Sequence, residues 1–177
     1  PKPKPVAKPK PKLVAKPATV SPEAYCDMAI AYYTDGKHQE AIAAYKKAIA
    51  IKPDHAKAYY NMGVIYSGLK QYADAITAYK KAIAIKPDYA DAYYNIGVVY
   101  GRHKQYQAAM AAYRKAVAIK PDYARAYFNM GTVYEELTQY ENAIVAYKKC
   151  VAIAPDLAMA HFKMGCNYGL SAQGHEA

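Results

Sequence analysis

Three asparagines, Asn61, Asn95 and Asn129, recur at intervals of 34 residues inside the near-identical words AYYNMGVIY, AYYNIGVVY and AYFNMGTVY. An asparagine side chain offers one acceptor and two donors, the hydrogen-bonding complement of a peptide unit. Three in a row can hold an extended guest chain by its backbone, or each can bond to a neighbouring repeat of its own fold. An aromatic series runs beside them at the same interval, Tyr60, Tyr94, Phe128 and Phe162, and it includes both phenylalanines of the chain. That is chemistry for binding. Chemistry for catalysis is not apparent: there is no Gly-rich phosphate loop, no GxSxG and no HExxH. His38, His55, His103, His161 and His175 are scattered, mostly near turns, and read as structural. Cys26, Cys150 and Cys166 stand far apart with no CxxC pair, which argues against a disulfide framework or a zinc site. Cys150 replaces an alanine of the other repeats and is expected to be buried packing. The chain is therefore expected to be no enzyme, and to need no metal and no cofactor.

The elements that position these residues follow from the period. The frames are 22–55, 56–89, 90–123 and 124–157, with a partial fifth at 158–177. Each frame opens with an apolar helical pattern, pauses at a turn such as GLKQY, and continues with a second helix such as AITAYKKAIAIKPD. Pro53, Pro87, Pro121 and Pro155 close the second helices, because proline cannot continue the hydrogen-bond ladder. The aspartate after each proline is expected to help start the next unit, and Ser21-Pro22-Glu23 to open the whole array. In the first helix of the second frame, Tyr59, Met62, Gly63 and Tyr66 form the packed stripe at i, i+3, i+4 and i+7. The adjoining stripe, Lys57, Tyr60, Asn61 and Val64, faces the inside of the curve. Its counterparts are Asp91, Tyr94, Asn95 and Val98, then Arg125, Phe128, Asn129 and Thr132. In the last helix they are Met159, Phe162, Lys163 and Cys166. HFKMGCNYGLSAQGHEA ends where a second helix would begin, so α-helical residue 158 onward is either half a repeat or a lone cap.

These frames resemble the tetratricopeptide repeat, whose 34-residue signature runs aromatic, Leu-Gly, Tyr, Ala, aromatic, Ala, Pro. The second frame matches it with Tyr59, Met62-Gly63, Tyr66, Ala75, Tyr79, Ala82 and Pro87. The third matches equally and the fourth does so with Cys150 at the second alanine position, whereas the first has Ala29 in place of glycine and the fifth has His161 for the leading aromatic. The resemblance implies an all-α, right-handed superhelical solenoid of antiparallel helix pairs with a concave groove. Of the 21 tyrosines, 16 fall at four positions of the frame, so the tyrosine bias is a packing effect, with the hydroxyls expected to reach solvent or backbone. The asparagine ladder is similar to the peptide-binding grooves of tetratricopeptide superhelices in O-linked N-acetylglucosamine transferases. The carboxylate clamp of the family's chaperone-binding members is not matched, since Cys26 and Ile30, Tyr60 and Val64, and Tyr94 and Val98 occupy the Lys-Asn places. The implied role is a protein–protein interaction scaffold with a protein or peptide partner in its groove.

The net charge of +10 divides unevenly. Residues 1–21, rich in lysine and proline, contribute +6 with no acid, and the remainder contributes +4. The folded part is thus only mildly basic, which argues against specific nucleic-acid binding. The Lys/Pro segment is expected to be an extended linker and resembles, in composition only, the spacers of TonB-type envelope proteins. With Lys46-Lys47, Lys80-Lys81, Arg114-Lys115 and Lys148-Lys149 along the outer face, it suggests a second role, weak attachment to an anionic surface as an assembly or adaptor module. Oligomerisation through the terminal repeats is a further expectation. No run is apolar enough to span a membrane, and the compartment stays open between a bacterial cytoplasm and an envelope-facing place provided by an upstream anchor.

Overall fold

In the computed structural model, residues 20–174 are described. Among them the chain forms nine α-helices and no strand. In order these are α1 (Pro22–Thr34), α2 (His38–Ile51), α3 (Ala56–Gly68), α4 (Tyr72–Ile85), α5 (Ala90–Arg102), α6 (Tyr106–Ile119), α7 (Ala124–Glu136), α8 (Tyr140–Ile153) and α9 (Ala158–Gly174). The Lys/Pro-rich segment lies outside the described residues up to position 19. Each helix packs on the next in sequence, and the odd-numbered helices also touch across repeats, α3 on α5 and α5 on α7. The result is an all-α solenoid of helix pairs.

Local chemistry sets the helix ends. The Ser21 hydroxyl accepts the Ala24 N–H at 3.1 Å and Pro22 occupies the first turn, where its missing donor costs nothing. The even helices stop at Ile51, Ile85, Ile119 and Ile153, two residues before each proline. The aspartates after those prolines contribute to the helix starts through the backbone: each stands one residue ahead of the cap, and its carbonyl accepts the first N–H, that of Ala56 at Asp54, Ala90 at Asp88 and Ala124 at Asp122. The cap position itself holds His55, Tyr89 and Tyr123. Between odd and even helices the turn places one residue in the left-handed region, Gly36 at φ 75°, Lys70 at 61°, Lys104 at 56° and Thr138 at 56°.

The pairing within a repeat depends on a missing Cβ. Gly63, Gly97 and Gly131 are buried beneath the rings of Tyr79, Tyr113 and Tyr147. A Cβ added at any of them would stand 2.5–2.6 Å from a ring carbon. Alanines complete the seam: Ala58, Ala75, Ala82, Ala92, Ala109 and Ala116 are all fully buried, and Cys150 is buried where the other repeats have alanine, as expected.

The fifth unit is one unbroken helix. Ala172 occupies the position that turns left-handed in the four preceding repeats, yet it lies inside α9. Alanine is the strongest helix former and a poor left-handed residue, so the chain continues where the others turn. α9 exposes Met159, Phe162, Tyr168 and Leu170.

Two glycines at the same frame position are expected to respond in opposite directions. Gly97→Ala forces a methyl into the Tyr113 ring and should lower stability by about 1–3 kcal/mol. Gly165→Ala meets nothing within 4 Å and should raise it by up to about 1 kcal/mol. Urea unfolding followed by circular dichroism separates the two.

Candidate peptide-binding face

The odd-numbered helices carry the stripe read from the sequence, and the structure places most of it at half-buried positions. Tyr60, Asn61, Val64, Asp91, Tyr94, Asn95, Val98, Phe128, Asn129, Thr132 and Lys163 are partly covered, while Lys57, Arg125 and Phe162 are exposed. The face is recessed. A cavity of about 350 Å³ lies among Val98, Arg102, Tyr113, Asn129 and Thr132. Asn61 borders two further cavities, of about 140 and 250 Å³, between α1 and α3.

Each asparagine is anchored by a tyrosine of the preceding repeat. The Asn61 amide donates to Tyr45 Oη at 2.9 Å, Asn95 to Tyr60 Oη at 3.1 Å, and Asn129 to Tyr94 Oη at 3.2 Å and Tyr113 Oη at 3.4 Å. The hydroxyls of Tyr45, Tyr60, Tyr94 and Tyr113 therefore meet side chains of the next repeat rather than solvent or backbone. The three amide oxygens accept no hydrogen bond among the described residues. The amide nitrogen of each asparagine thus holds the fold together, to one tyrosine at Asn61 and Asn95 and to two at Asn129, and Oδ1 stays available on the same face.

The aromatic series is partly committed as well. Tyr60 stacks on Tyr89 at 4.8 Å, Tyr94 packs tilted on Tyr123 at 4.9 Å, and Phe128 packs on Tyr147 at 5.6 Å. In the first repeat Cys26 and His55 occupy the places of that stacked pair, with Sγ 3.5 Å from Nε2. His55 Nδ1 accepts the Ala58 N–H at 3.3 Å, so in the neutral ring Nε2 carries the proton and donates to the thiol. Burial, then Asp27 and Glu23, push the Cys26 thiol up, which keeps it protonated and unreactive. Tyr89 and Tyr123 were not legible as part of this face; their signal was an aromatic residue at the last position of the first three frames, His55 included.

The charged members have partners of their own. Asp91 accepts the Tyr123 hydroxyl at 2.7 Å, and the Arg125 guanidinium lies 5.8 Å and 5.9 Å from the Tyr94 and Tyr123 ring centres. Lys57 borders the cavity that also holds Glu23, Cys26, Asp27 and His55. At the last junction the amide–tyrosine bond gives way to an ion pair, Lys163 Nζ to Glu135 Oε2 at 2.7 Å, and buried Asn167 donates to the same carboxylate. The Thr132 hydroxyl lies 3.2 Å from Tyr147 Oη. Among the described residues no group of three or more His, Cys, Asp or Glu side chains is placed to hold a metal ion.

Burial raises the phenol pKa throughout this seam: Tyr45, Tyr60, Tyr79, Tyr113, Tyr123 and Tyr147 are all pushed up, and Tyr89 is pushed up to about 12. A raised folded-state pKa means that the folded array holds these protons more tightly than the unfolded chain. Their contribution to stability is complete below about pH 10 and is lost as pH rises through about 12. Tyrosinate absorbance near 295 nm should show a late-titrating fraction that appears together with the loss of helical circular dichroism. A single absorbance step near pH 10 with full helicity would contradict the assignment.

Comparison with known proteins follows the same lines. A family model described as a TPR repeat matches residues 31–70, 68–104 and 102–138, and one described as a tetratricopeptide repeat matches residues 124–157. A crystal structure of MamA protein is 30% identical, over 88% of this chain and 85% of that one, with a TM-score of 0.79. MamA 41-end from Desulfovibrio magneticus RS-1 is 24% identical, over 88% of this chain and 93% of that one, at 0.73. YrrB, described as a TPR protein with an unusual peptide-binding site, is 22% identical, over 88% and 80%, at 0.73. None of the curated proteins compared matches the sequence. The repeat models cover most of the helical array, and the chain belongs to the tetratricopeptide repeat family, a family of protein–protein interaction scaffolds.

Proposed function

We propose that the array binds an extended segment of a partner protein along the face carried by α1, α3, α5, α7 and α9, and that its role is binding rather than catalysis. The observation that carries this reading is the state of Asn61, Asn95 and Asn129. Each is pinned to tyrosine through its amide nitrogen, Asn129 to two of them, and presents an Oδ1 without a partner among the described residues on a recessed, half-exposed face. A pinned amide loses little freedom when a guest arrives. Helices in contact lie about 8–10 Å apart, and an extended chain rises about 3.3 Å per residue, so successive asparagines meet a guest about every third residue. Val64, Val98, Tyr60, Tyr94, Phe128, Thr132 and the exposed Phe162 supply apolar contact between those points, while Lys57, Asp91, Arg125 and Lys163 set the charge along one edge. The similarly folded YrrB, with its described peptide-binding site, supports a peptide as the class of guest at the level of fold alone.

A second reading rests on the even-numbered helices, where Lys46, Lys80, Arg114 and Lys148 and the basic residues after them are all exposed. Three of the second lysines lie over tyrosine rings, Lys47 over Tyr25 at 5.6 Å, Lys81 over Tyr59 at 5.5 Å and Lys149 over Tyr127 at 5.5 Å. These fixed cations, with the lysines of residues 1–21, suit attachment to an anionic surface. Such attachment should collapse between low and moderate salt, whereas groove binding should change little.

The test is the triple variant Asn61→Ala, Asn95→Ala, Asn129→Ala against an immobilised array of extended peptides. Each bond to the guest contributes about 1 kcal/mol, so affinity should fall about 100-fold. Loss of the tyrosine bonds should also lower thermal stability, and binding is therefore measured where circular dichroism shows the variant still folded. Reduced stability with peptide binding intact leaves the asparagines a purely structural role.

A further inference from the structure

The cavity of about 350 Å³ beside Asn129 contains a glycine that the fold does not need. Gly101 lines it, at the place where the first, second and fourth repeats carry Tyr33, Ser67 and Glu135. The equivalent cavity of the first repeat, with Tyr33, Tyr45 and Asn61 in its lining, measures about 140 Å³. A Cβ at position 101 would stand 3.6 Å from the Tyr113 hydroxyl and 4.0 Å from the Ala109 Cβ, both ordinary contacts. Gly101 lies inside α5, and the left-handed residue of the turn that follows is Lys104. Neither a close approach nor a positive φ therefore asks for glycine, one of the poorest helix formers. Such a local conflict marks a place kept open for another purpose.

The charges around the opening do not cancel. Arg102 and Lys104 border the cavity, both exposed, and among the described residues neither has an ion-pair partner. Glu136 borders it too, but its carboxylate already accepts the Tyr106 hydroxyl at 2.8 Å. Burial raises the Tyr79 and Tyr113 phenols, and the Arg102 charge lowers both in part, so the guanidinium bears on the polar floor of the recess. Val98 and Val133 give the remaining wall an apolar surface for a side-chain stem. Arginine belongs to this junction alone, since the first, second and fourth repeats have Thr34, Gly68 and Glu136 at its place.

We propose that this recess is the specificity pocket of the groove, taking the acidic side chain, Asp or Glu, of the guest residue beside Asn129, with Arg102 and Lys104 as its counter-charges. The inference rests on the reading of the asparagine face as a peptide groove. It adds a sequence preference that asparagines bonding only to a guest backbone cannot supply. A guanidinium offers a carboxylate two parallel hydrogen bonds, and the lysine adds a second positive charge. A basic guest side chain would instead meet two unpaired cations and one carboxylate already bonded. Neither cation stands at the Lys-Asn places of the family's carboxylate clamp, which Tyr60, Val64, Tyr94 and Val98 occupy.

The test is an array of extended Ser, Thr and Val peptides in which one position at a time is Glu, Asp, Gln or Lys, probed with the full labelled chain. Glu or Asp at one position should bind about tenfold more tightly than Gln at that position. The double variant Arg102→Gln, Lys104→Gln should lose this preference and still bind the Gln peptides like the parent chain. Arg102→Glu should move the preference to Lys at the same position. Gly101→Tyr, which installs the residue of the first repeat and fills the recess, should abolish the preference while circular dichroism stays unchanged. Lys52→Gln, which removes an exposed charge elsewhere, should leave it intact. Equal binding of Glu and Gln peptides, or an acid preference that survives the double variant, overturns the proposal and leaves the groove reading standing. A preference spread evenly over all peptide positions also overturns it, in favour of general surface charge. Capture of none of the peptides overturns both readings.

Discussion

The array depends on one close approach, a tyrosine ring lying against the backbone of a facing helix where a glycine has no Cβ. The contact recurs at Gly63, Gly97 and Gly131 and brings the two helices of a repeat nearer than any side chain would permit. It also buries the ring while delivering its hydroxyl to the far edge of the helix pair. There the hydroxyl needs a partner, because a buried phenol without one is costly. The next repeat supplies it through an asparagine, Asn129 on Tyr113, and Asn61 does the same for Tyr45 in the first repeat, where Ala29 stands at the glycine position. Around Gly97, glycine, tyrosine and asparagine thus form a relay, in which packing inside one repeat sets up the polar bond to the next.

That relay explains how a residue can serve fold and function together. An asparagine that spent all its hydrogen-bonding capacity on a tyrosine would be structural and nothing else. One that spent none would be free to rotate and costly to fix on binding. The observed state is intermediate, with an N–H committed and an oxygen free, on a face too recessed for disorder and too open for burial. The ring pairs Tyr60–Tyr89 and Tyr94–Tyr123 have the same double character, since each ring is fixed by its neighbour and still borders the face. At the two ends the chemistry changes: Cys26 and His55 take the places of a ring pair, and the ion pair of Lys163 and Glu135 that of the asparagine–tyrosine bond. The ends of the face are therefore chemically unlike its middle.

Much of this was legible in the residues themselves. The 34-residue period, the prolines at the ends of the even helices and the small residues at fixed places specify helix pairs, because each is a local rule about backbone hydrogen bonds or steric room. Which residues share the asparagine stripe was also legible, since helical periodicity places Tyr60, Asn61 and Val64 together. The partners were not. Asn61 meets a residue 16 positions earlier, and Asn95 one 35 positions earlier, and no local pattern encodes such pairs. How the aspartates after the prolines take part in the helix start was not legible for a related reason: they stand one residue ahead of the cap, and the backbone carbonyl rather than the carboxylate accepts the first N–H.

By itself, then, the sequence determined the repeat, the helices and the identity of the residues on each face, because period and propensity act over a few turns of chain. Only the tertiary structure decided how those faces are used. Stacking of repeats determined that the asparagines bond tyrosines through their amide nitrogens and keep an oxygen free. It determined that Tyr89, Tyr123 and His55 join the face from the end of each frame. It also left Gly165 uncovered on a helix that runs through the position where its predecessors turn. These outcomes depend on which surfaces meet across distant parts of the chain, and burial and hydrogen-bond partners exist only once they have met.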